Sequence, residues 1–236
     1  MALNGSIALV TGGNRGLGNN FVRALLEAGA SKVYAAARDP RTVTAEGAIP
    51  VALDVTDHAS VLAVAGQAQD VTLLINNAGS STGANILGGS FDDFQLEYNT
   101  HVLGTLDVTR AFAPILARNG GGAVLNVLSV LSWMAFPEAA AYCAAKSAEW
   151  AITNALRVEL AGQGTQVTGL HVGYMDTDMV AGLVDVHKED PAKIARIALE
   201  GVEKGLPEVI SDEISKHVKA GLSAGVEALY PQLANS

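Results

Sequence analysis

Cysteine is almost absent from the sequence, with one residue, Cys143, in 236. A single thiol excludes an intramolecular disulfide and a metal site built from several cysteines, and we predict no metal. This usage is typical of a reducing compartment, so we expect a cytoplasmic location. The N-terminus lacks the basic start and long apolar stretch of a signal peptide. No run approaches the ~20 apolar residues that a membrane span requires.

Charged residues are also few, at 17%, and the basic ones are the scarcer kind. Fifteen Lys and Arg against 24 Asp and Glu give a formal charge of −9. The chain therefore has no overall field that attracts DNA, RNA or anionic lipid, and we predict neither nucleic-acid nor membrane partners. A hydrophobic content of 49% with 25 glycines excludes a disordered or coiled-coil protein.

Short apolar runs alternate with helical patterns along the whole chain. Strands are predicted at Ile7–Thr11, Lys32–Ala37, Ile49–Leu53, Thr72–Asn76, Ala123–Val127, Gln166–His171 and Glu208–Ile210. Helices are predicted at Leu17–Ala28, Asp57–Gln67, Val102–Arg118, Tyr142–Ala161 and Pro191–Lys204. This alternation predicts an α/β fold, a doubly wound parallel sheet of about seven strands with helices on both faces. It is a three-layer αβα arrangement of the Rossmann type.

The chain shows no internal repeat or linker, so we predict one domain over 1–236. Its last part, 212–236, is predicted as a C-terminal helix and tail. Apolar residues recur there at three- and four-residue spacing, at Ile214, Val218, Leu222, Val226 and Leu229. An amphipathic helix of this kind packs on its own body or on a partner subunit.

A glycine-rich segment separates the first predicted strand from the first predicted helix. Residues 11–18 read Thr-Gly-Gly-Asn-Arg-Gly-Leu-Gly. Glycines allow the tight turn and let backbone amides approach a pyrophosphate at the helix N-terminus. No Lys-Ser/Thr pair follows, so a dinucleotide is favoured over a nucleoside triphosphate, the alternative being an ordinary turn. The candidate contacts are Gly12, Asn14, Arg15, Gly16, Leu17 and Gly18.

The end of the second strand bears on which dinucleotide binds. Arg38 stands just past it, and with Arg15 of the glycine-rich segment it could converge on a 2′-phosphate, which favours NADP(H). Asp39 is the competing signal, because an acidic residue here holds the ribose 2′-OH of NAD. We predict NADP(H), with NAD(H) as the alternative.

Further motifs complete a pattern with the glycine-rich segment. Asn76-Asn77-Ala78-Gly79 ends the fourth strand, Ser129 follows the fifth, and Tyr142-Cys143-Ala144-Ala145-Lys146 opens a helix thirteen residues later. Together they resemble the compact branch of the short-chain dehydrogenase/reductase family, from about residue 5 to residue 180. The resemblance implies a catalytic Ser129, Tyr142 and Lys146, the last two also contacting the cofactor. It also implies cofactor contacts at Asp54, Val55, Asn77, Ala78, Gly79, Gly173 and Thr177, and a homodimer or homotetramer.

Spacing supplies a physical reason for the catalytic pair. Tyr142 and Lys146 lie four residues apart on a helix, so they share a face. A free tyrosine has a pKa of about 10, and a nearby ammonium favours the phenolate, so we expect Lys146 to lower the pKa of Tyr142. Ser129 can donate a hydrogen bond to the same substrate oxygen. The alternatives are a surface Tyr–Lys pair and a serine in a turn.

Topology and two departures from the family pattern complete the expectations for the site. The glycine-rich segment, Arg38, Asp54, Asn76–Gly79, Ser129 and 171–177 all follow strands at one sheet edge, where ligands of such sheets bind. Asp54 has the alternative of a turn-capping residue.

His101 stands where the family has a catalytic Asn, either in a proton relay or as an ordinary buried or surface histidine, with Asn99 as the alternative for that role. Val172 replaces a common Pro.

The segments flanking the site carry apolar side chains and no Lys or Arg before Lys188. Candidate pocket residues are Trp133, Met134, Phe136, Met179 and Leu183. We therefore predict an NADPH-dependent carbonyl reductase, reversible as an alcohol dehydrogenase, for small apolar or aryl ketones and aldehydes. The alternative is a non-catalytic NADP(H)-binding regulatory or sensor protein.

Overall fold

A single parallel sheet forms the centre of the protein in this computed structural model, which describes residues 1–233. Its seven strands lie in the order β3-β2-β1-β4-β5-β6-β7, and every neighbouring pair is parallel. The strands are β1 (Ile7–Thr11), β2 (Lys32–Ala37), β3 (Ile49–Ala52), β4 (Leu73–Asn76), β5 (Ala123–Val127), β6 (Gln166–His171) and β7 (Glu208–Ile210). The strand order reverses between β1 and β4, which places a crevice at that point of the carboxyl edge.

Eight helices accompany the strands in the described part of the chain. They are α1 (Gly16–Glu27), α2 (His58–Gln67), α3 (Phe91–Tyr98), α4 (Thr105–Arg118), α5 (Ala140–Glu159), α6 (Pro191–Glu203), α7 (Glu213–Gly221) and α8 (Val226–Leu229). One core cluster joins α1 and α6 to one sheet face, and another joins α2, α4 and α5 to the other face. The predicted three-layer α/β fold is therefore confirmed.

The strands are apolar throughout because both of their faces are buried. In β1, Ala8 and Val10 enter the cluster beneath α1 and α6, whereas Leu9 points to the opposite cluster. Side chains alternate between faces at every residue, so a strand between two helical layers needs apolar residues at all positions. Packing both faces against helices thus accounts for the missing polar–apolar alternation.

The long helix before β5 begins earlier than predicted. The predicted helix started near Val102, but α3 starts at Phe91 and continues through a π-helical segment, Asn99–Gly104, into α4. Ser90 caps α3, since its Oγ accepts a hydrogen bond from Asp93 N at 3.1 Å. A serine followed by two aspartates is a helix-start signal that could have located α3 from the sequence.

The segment predicted as a C-terminal helix contains two helices, α7 and α8, with a break between them. Gly221 and Gly225 flank the break, and glycine is a weak helix former. Val218 is buried in a small core cluster with Val130, Leu131, Trp133 and Cys143, and Leu229 packs against that cluster. The other apolar residues of the pattern are exposed, namely Ile214, Leu222 and Val226. Residues 234–236 of the predicted tail lie outside the described residues.

The described residues form neither a membrane-spanning helix nor a metal-binding cluster. None of their helices is long and apolar enough to cross a bilayer. They also contain no group of three or more His, Cys, Asp or Glu placed to hold a metal ion. One sheet runs from the first strand of the chain to the last. The single domain over 1–236 stays a prediction.

Candidate active site

The glycine-rich segment forms a tight turn from the end of β1 into α1. Gly12 has φ +64° and Gly16 has φ +52°, a left-handed backbone that favours glycine. A Cβ on Gly18 would lie 2.0 Å from the carbonyl oxygen of Gly12, so this position tolerates no side chain. The turn therefore needs its glycines for close backbone packing.

The N-terminus of α1 is free of the groups that usually cap a helix. Arg15 occupies the capping position without a side-chain hydrogen bond to the helix, and the first turn carries no acidic residue. The first-turn amides and the positive end of the helix dipole thus face the crevice, where they favour an anion. This cradle fits the pyrophosphate of a dinucleotide.

Hydrogen bonds fasten the glycine-rich turn to the end of β4. The side chain of Asn77 donates to the carbonyl oxygens of Thr11, at 2.9 Å, and Gly12, at 3.3 Å. Thr11 Oγ1 accepts from the backbone amides of Asn77 and Ala78. Asn77 thus acts by bracing the turn through its side chain, and the buried Thr11, which was not among the predicted site residues, is its partner.

Arg38 and Asp39, the two residues after β2 that bear on the choice between NADP(H) and NAD(H), have different surroundings. Asp39 is engaged by Arg41, whose Nε and Nη2 donate to its carboxylate at 2.9 Å each. Arg38 is exposed, and the Asp39 carboxylate pairs with Arg41 instead of with Arg38. Asn14 Nδ2 donates to Thr42 Oγ1 at 3.0 Å, which joins this loop to the glycine-rich turn.

The second predicted arginine points elsewhere. The Arg15 guanidinium pairs with Asp178 at 3.3 Å, and both side chains are exposed. Arg38 stands close enough to Asp54 to help lower the pKa of that carboxyl. Convergence of Arg15 and Arg38 on one phosphate therefore stays a prediction that requires Arg15 to leave Asp178.

Asp54 combines a turn role with a position at the sheet edge. Its Oδ1 accepts from the amide and the hydroxyl of Thr56, at 2.9 and 2.7 Å. The Thr56 hydroxyl lowers the pKa of Asp54, against the opposing effect of burial. Val55 follows at the same edge and packs over Gly104, where a Cβ would meet Val55 Cγ2 at 3.0 Å. The adenine contacts of Asp54 and Val55 stay predictions.

The catalytic candidates come together at the carboxyl ends of β5 and the start of α5. Lys146 Nζ lies 5.7 Å from the centre of the Tyr142 ring and donates to the carbonyl oxygen of Val127 at 2.8 Å. Ser129 is buried, and its Oγ accepts from Leu131 N at 3.1 Å. The Ser129 side chain also hydrogen-bonds Tyr142 and lowers the pKa of that tyrosine, so both hydroxyls lie where one substrate oxygen could contact them.

Lys146 lowers the pKa of Tyr142 as expected, but the net shift runs the other way. Burial raises the pKa of Tyr142 most strongly, Lys146 lowers it, and Glu149 raises it again. The net pKa lies above the usual value of a tyrosine. The four-residue spacing predicts the Lys146 ammonium beside Tyr142 but says nothing of a carboxylate. In the structure Glu149 Oε2 lies 2.6 Å from Lys146 Nζ.

His101 lies in the π-helical segment with its imidazole against the catalytic tyrosine. The ring is buried and meets the Tyr142 ring edge-on, with 5.2 Å between centres. Nε2 lies 2.9 Å from the Ser80 carbonyl oxygen, 3.2 Å from the Ser80 amide nitrogen and 3.2 Å from Glu97 Oε2. Asn99, the alternative for the family's catalytic Asn, is partly buried and lines a surface groove. His101 is therefore the residue that contacts Tyr142. Its relay role stays a prediction.

Gly79 and Gly173 are glycines for steric reasons. A Cβ on Gly79 would lie 2.7 Å from His101 Cε1, and one on Gly173 would lie 2.6 Å from Ile214 Cγ2. The amide of Gly173 donates to Asp212 Oδ2 at 2.8 Å, which ties the segment after β6 to the start of α7. Asp212 is buried and was not singled out in the sequence.

Thr177 and the pocket candidates occupy different surroundings. A Cβ on Gly16 would lie 3.4 Å from Thr177 Cγ2, so the segment after β6 reaches the glycine-rich turn. Trp133 is buried and stacks on His171, with 3.7 Å between ring centres. Met134 and Phe136 are partly buried against the same cluster, whereas Met179 and Leu183 are exposed. Whether these five residues form one pocket stays a prediction.

Comparison with known proteins agrees with this geometry. A family model described as short chain dehydrogenase matches residues 6–187. The chain belongs to the short-chain dehydrogenase/reductase family. A short chain dehydrogenase from Burkholderia cenocepacia J2315, solved in complex with NADP, is 36% identical with a TM-score of 0.93 and 99% coverage of both chains.

Two further members of the short-chain dehydrogenase/reductase family illustrate its range. A 3alpha-hydroxysteroid dehydrogenase from Mediterraneibacter gnavus is 30% identical over 78% of this chain and 79% of the relative. A 3-ketoacyl-(acyl-carrier-protein) reductase from Brucella melitensis, solved with NADH, is 25% identical with a TM-score of 0.81, covering 87% and 96% of the two chains. The chain is thus an NAD(P)-dependent oxidoreductase acting on small-molecule substrates.

Proposed function

We propose that this protein is an NADPH-dependent carbonyl reductase, reversible as an alcohol dehydrogenase, with Tyr142 as the acid and base. The observation that supports it most is the grouping of Tyr142, Lys146 and Ser129 at the sheet edge that carries the glycine-rich turn. When bound, the reduced nicotinamide supplies the hydride. Tyr142 donates its hydroxyl proton to the substrate oxygen, and Ser129 holds that oxygen with a hydrogen bond.

The preference for NADPH over NADH rests on the charges around the end of β2. Arg41 engages Asp39, which removes the carboxylate that would hold a ribose 2′-OH. Arg38 remains exposed beside the glycine-rich turn, and a guanidinium suits a phosphate. The NADP complex of the Burkholderia cenocepacia relative agrees with this preference. Gly12, Asn14, Gly16, Leu17 and Gly18 would hold the pyrophosphate half of NADPH.

The substrate class follows from the side chains on either side of the crevice. Residues 130–141 and 178–187 contribute no lysine or arginine, so a phosphorylated or otherwise anionic substrate lacks a counter-charge there. Met134 and Phe136, which pack against the cluster that contains Trp133, and the exposed Met179 and Leu183 offer apolar surface. We therefore assign small apolar or aryl ketones and aldehydes as substrates. One of the relatives is by its name a dehydrogenase of a 3alpha-hydroxysteroid.

A cofactor and substrate panel tests the proposed function. Purified protein should oxidise NADPH faster than NADH, at equal concentrations, in the presence of aryl ketones or apolar aldehydes. Phosphorylated sugars should give no turnover above background. Arg38→Gln should weaken NADPH binding while leaving NADH binding unchanged, because only NADPH carries the 2′-phosphate. NADPH binding without turnover on any carbonyl would instead support the regulatory or sensor protein.

Assembly and location complete the proposal. A groove of about 530 Å³ along α3, the π-helical segment and α5 is lined by Phe91, Phe94, Gln95, Tyr98, Asn99, Leu103, Ala141, Ala144 and Ala145. Phe91 is 92% exposed, and Leu103 is 47% exposed. We infer that this apolar face joins copies of the chain in a homodimer or homotetramer. The cytoplasmic location stays a prediction from cysteine usage.

A further inference from the structure

Two carboxylates are buried beside the catalytic pair, and the proposed chemistry does not use either of them. Glu149 follows Lys146 by one helical turn in α5, and Glu97 comes from α3. Their exposed fractions are 2% and 0%. Burying a carboxylate is costly unless it is paired, so both positions require partners that stabilise the charge.

The partners of Glu149 tie it to the catalytic lysine. Glu149 Oε2 accepts from Lys146 Nζ at 2.6 Å, and its Oε1 accepts from Thr105 Oγ1 at 3.0 Å. Both carboxylate oxygens are therefore held, and the ammonium is held by Glu149 and the Val127 carbonyl oxygen. Lys146 reaches the site as one half of a buried ion pair.

The remaining charges near Tyr142 come from α3 and the π-helical segment. Glu97 accepts hydrogen bonds from Ser80 Oγ and Thr82 N, and it lies 3.2 Å from His101 Nε2. His101 Nδ1 lies 3.9 Å from Glu149 Oε2 and has no hydrogen-bond partner among the described residues. The titratable groups facing Tyr142 are thus Lys146, Glu149, Glu97 and His101. Two carboxylates, one ammonium and one imidazole thus surround Tyr142.

We propose that Glu149, by pairing with Lys146, is a positioning residue that keeps Tyr142 as the neutral phenol and sets the site for carbonyl reduction over alcohol oxidation. This inference rests on the proposed function, in which Tyr142 is the proton donor. In reduction the hydride from NADPH forms the new C–H bond, and the proton passes from Tyr142 Oη to the carbonyl oxygen. Solvent then reprotonates the phenolate. Oxidation needs the phenolate at the start.

The electrostatics of the buried site support this role. An ammonium alone would stabilise a neighbouring phenolate, because opposite charges attract strongly where water is excluded. Glu149, 2.6 Å from that ammonium, cancels much of its field at Tyr142. Burial raises the pKa of Tyr142 most strongly, Lys146 and the Ser129 hydrogen bond lower it, and Glu149 and Glu97 raise it, so that the net pKa lies above the usual value. The geometry and the charge balance thus point in the same direction.

The test replaces Glu149 with its uncharged isostere. Glu149→Gln keeps an oxygen for Lys146 but removes the negative charge. The chain has five tyrosines, so tyrosine labelled with ¹³C at Cζ gives few NMR signals, and Tyr142→Phe identifies the one from Tyr142. In cofactor-free Glu149→Gln, the titration midpoint of Tyr142 should fall by about one pH unit or more relative to wild type. The matched control is Glu200→Gln, which removes an exposed carboxylate paired with Lys204 at 3.1 Å and should leave the midpoint unchanged.

Kinetics supply the second readout. In Glu149→Gln, the alkaline decline of the reduction rate should move to lower pH by the same amount. The ratio of kcat for alcohol oxidation to kcat for carbonyl reduction, each measured at saturating substrate and cofactor and neutral pH, should rise about tenfold for each pH unit by which the Tyr142 midpoint falls. Glu149→Asp, which keeps the charge, should retain a midpoint close to that of wild type.

The outcomes separate this inference from the proposed function. An unchanged or higher Tyr142 midpoint in Glu149→Gln, with turnover lowered equally at every pH, would show a merely structural role and overturn the inference. If Glu149→Gln does not fold, Glu97→Gln must lower the midpoint in the same sense, and an unchanged midpoint there overturns it. A lowered midpoint in a protein that reduces no carbonyl would leave the charge effect standing and defeat the proposed function.

Discussion

His101 lies directly over Gly79, and this contact leaves no room for a larger side chain at position 79. We predict that Gly79→Ala displaces the imidazole, because the added Cβ would lie 2.7 Å from His101 Cε1. The cost should be about 1–3 kcal/mol of unfolding free energy, as for other overpacked sites. Thermal denaturation and carbonyl turnover measure the two consequences, and both should fall.

Gly66 provides the control for that substitution. It lies near the end of α2, and nothing lies within 4 Å of a Cβ added there. Gly66→Ala should leave turnover unchanged and keep or slightly raise stability, since alanine favours a helix. Equal thermal stability and equal turnover of Gly79→Ala and Gly66→Ala would show that the contact between His101 and Gly79 affects neither stability nor activity.

Single residues also show where the sequence was informative. The four-residue spacing of Tyr142 and Lys146 predicts a shared helical face, because helix periodicity is a local property. The pairing of Lys146 with Glu149 could have been suspected from its three-residue spacing, but a charged residue in a helix is usually exposed. Its burial arises from α3 and the π-helical segment packing over α5, which no local pattern encodes. The direction of the Tyr142 pKa shift could therefore not be predicted from the sequence.

Among the larger elements, α7 is coupled to the site through its capping residue. Asp212 Oδ1 accepts from Ser215 N at 2.9 Å, and Oδ2 accepts from Gly173 N at 2.8 Å. We predict that Asp212→Ala loses the helix cap and also leaves the Gly173 amide unpaired. The segment from Gly173 to Thr177 should then loosen, which raises the KM for the cofactor.

Asp190, the cap of α6, is the matched reference for Asp212. Its Oδ1 accepts from Ala192 N at 2.9 Å, and the residue is exposed. Loss of this cap alone should cost about 0.5–2 kcal/mol. Asp212→Ala should cost about 1–3 kcal/mol more, the penalty for an unpaired amide. Denaturant unfolding of both variants measures the difference, and equal losses would contradict the coupling.

The elements themselves were predictable to different degrees. Strands buried on both faces have continuous apolar runs, so all seven strands were located from the sequence within one residue at each end. α3 was missed because Phe91, Leu96 and Tyr98 are exposed, which blurs the apolar stripe of a surface helix. The C-terminal pattern at Ile214, Val218 and Leu222 has helical spacing, yet the glycines at 221 and 225 end the helix. Periodicity shows a tendency to form a helix but does not fix its length.

Over the entire chain, the formal charge of −9 hides a local concentration of positive groups. Arg15, Arg38 and Arg41 stand around the glycine-rich turn and the end of β2, at the edge where the predicted phosphates bind. Composition predicts no polyanionic partner, and only the motifs point to a small anionic ligand. Arg15 and Arg41 are paired with Asp178 and Asp39, which leaves Arg38 as the exposed arginine at the end of β2.

The inferred assembly makes a prediction for the intact protein. Light scattering of purified protein should give the mass of a dimer or tetramer. Leu103→Glu, in the apolar groove, should reduce that mass because a buried unpaired carboxylate opposes association. Leu62→Glu, at a residue of α2 that is 51% exposed, should leave it unchanged. A monomeric wild-type protein would contradict the inferred assembly.

The proton-donor role of Tyr142 is tested most directly by Tyr142→Phe. NADPH oxidation with an aryl ketone should be lost in this variant, because phenylalanine has no proton to donate. NADPH binding, followed by fluorescence, should remain near the wild-type level, since the glycine-rich turn and Lys146 are untouched. Turnover equal to that of wild type would contradict the account, because it would remove Tyr142 from the reaction.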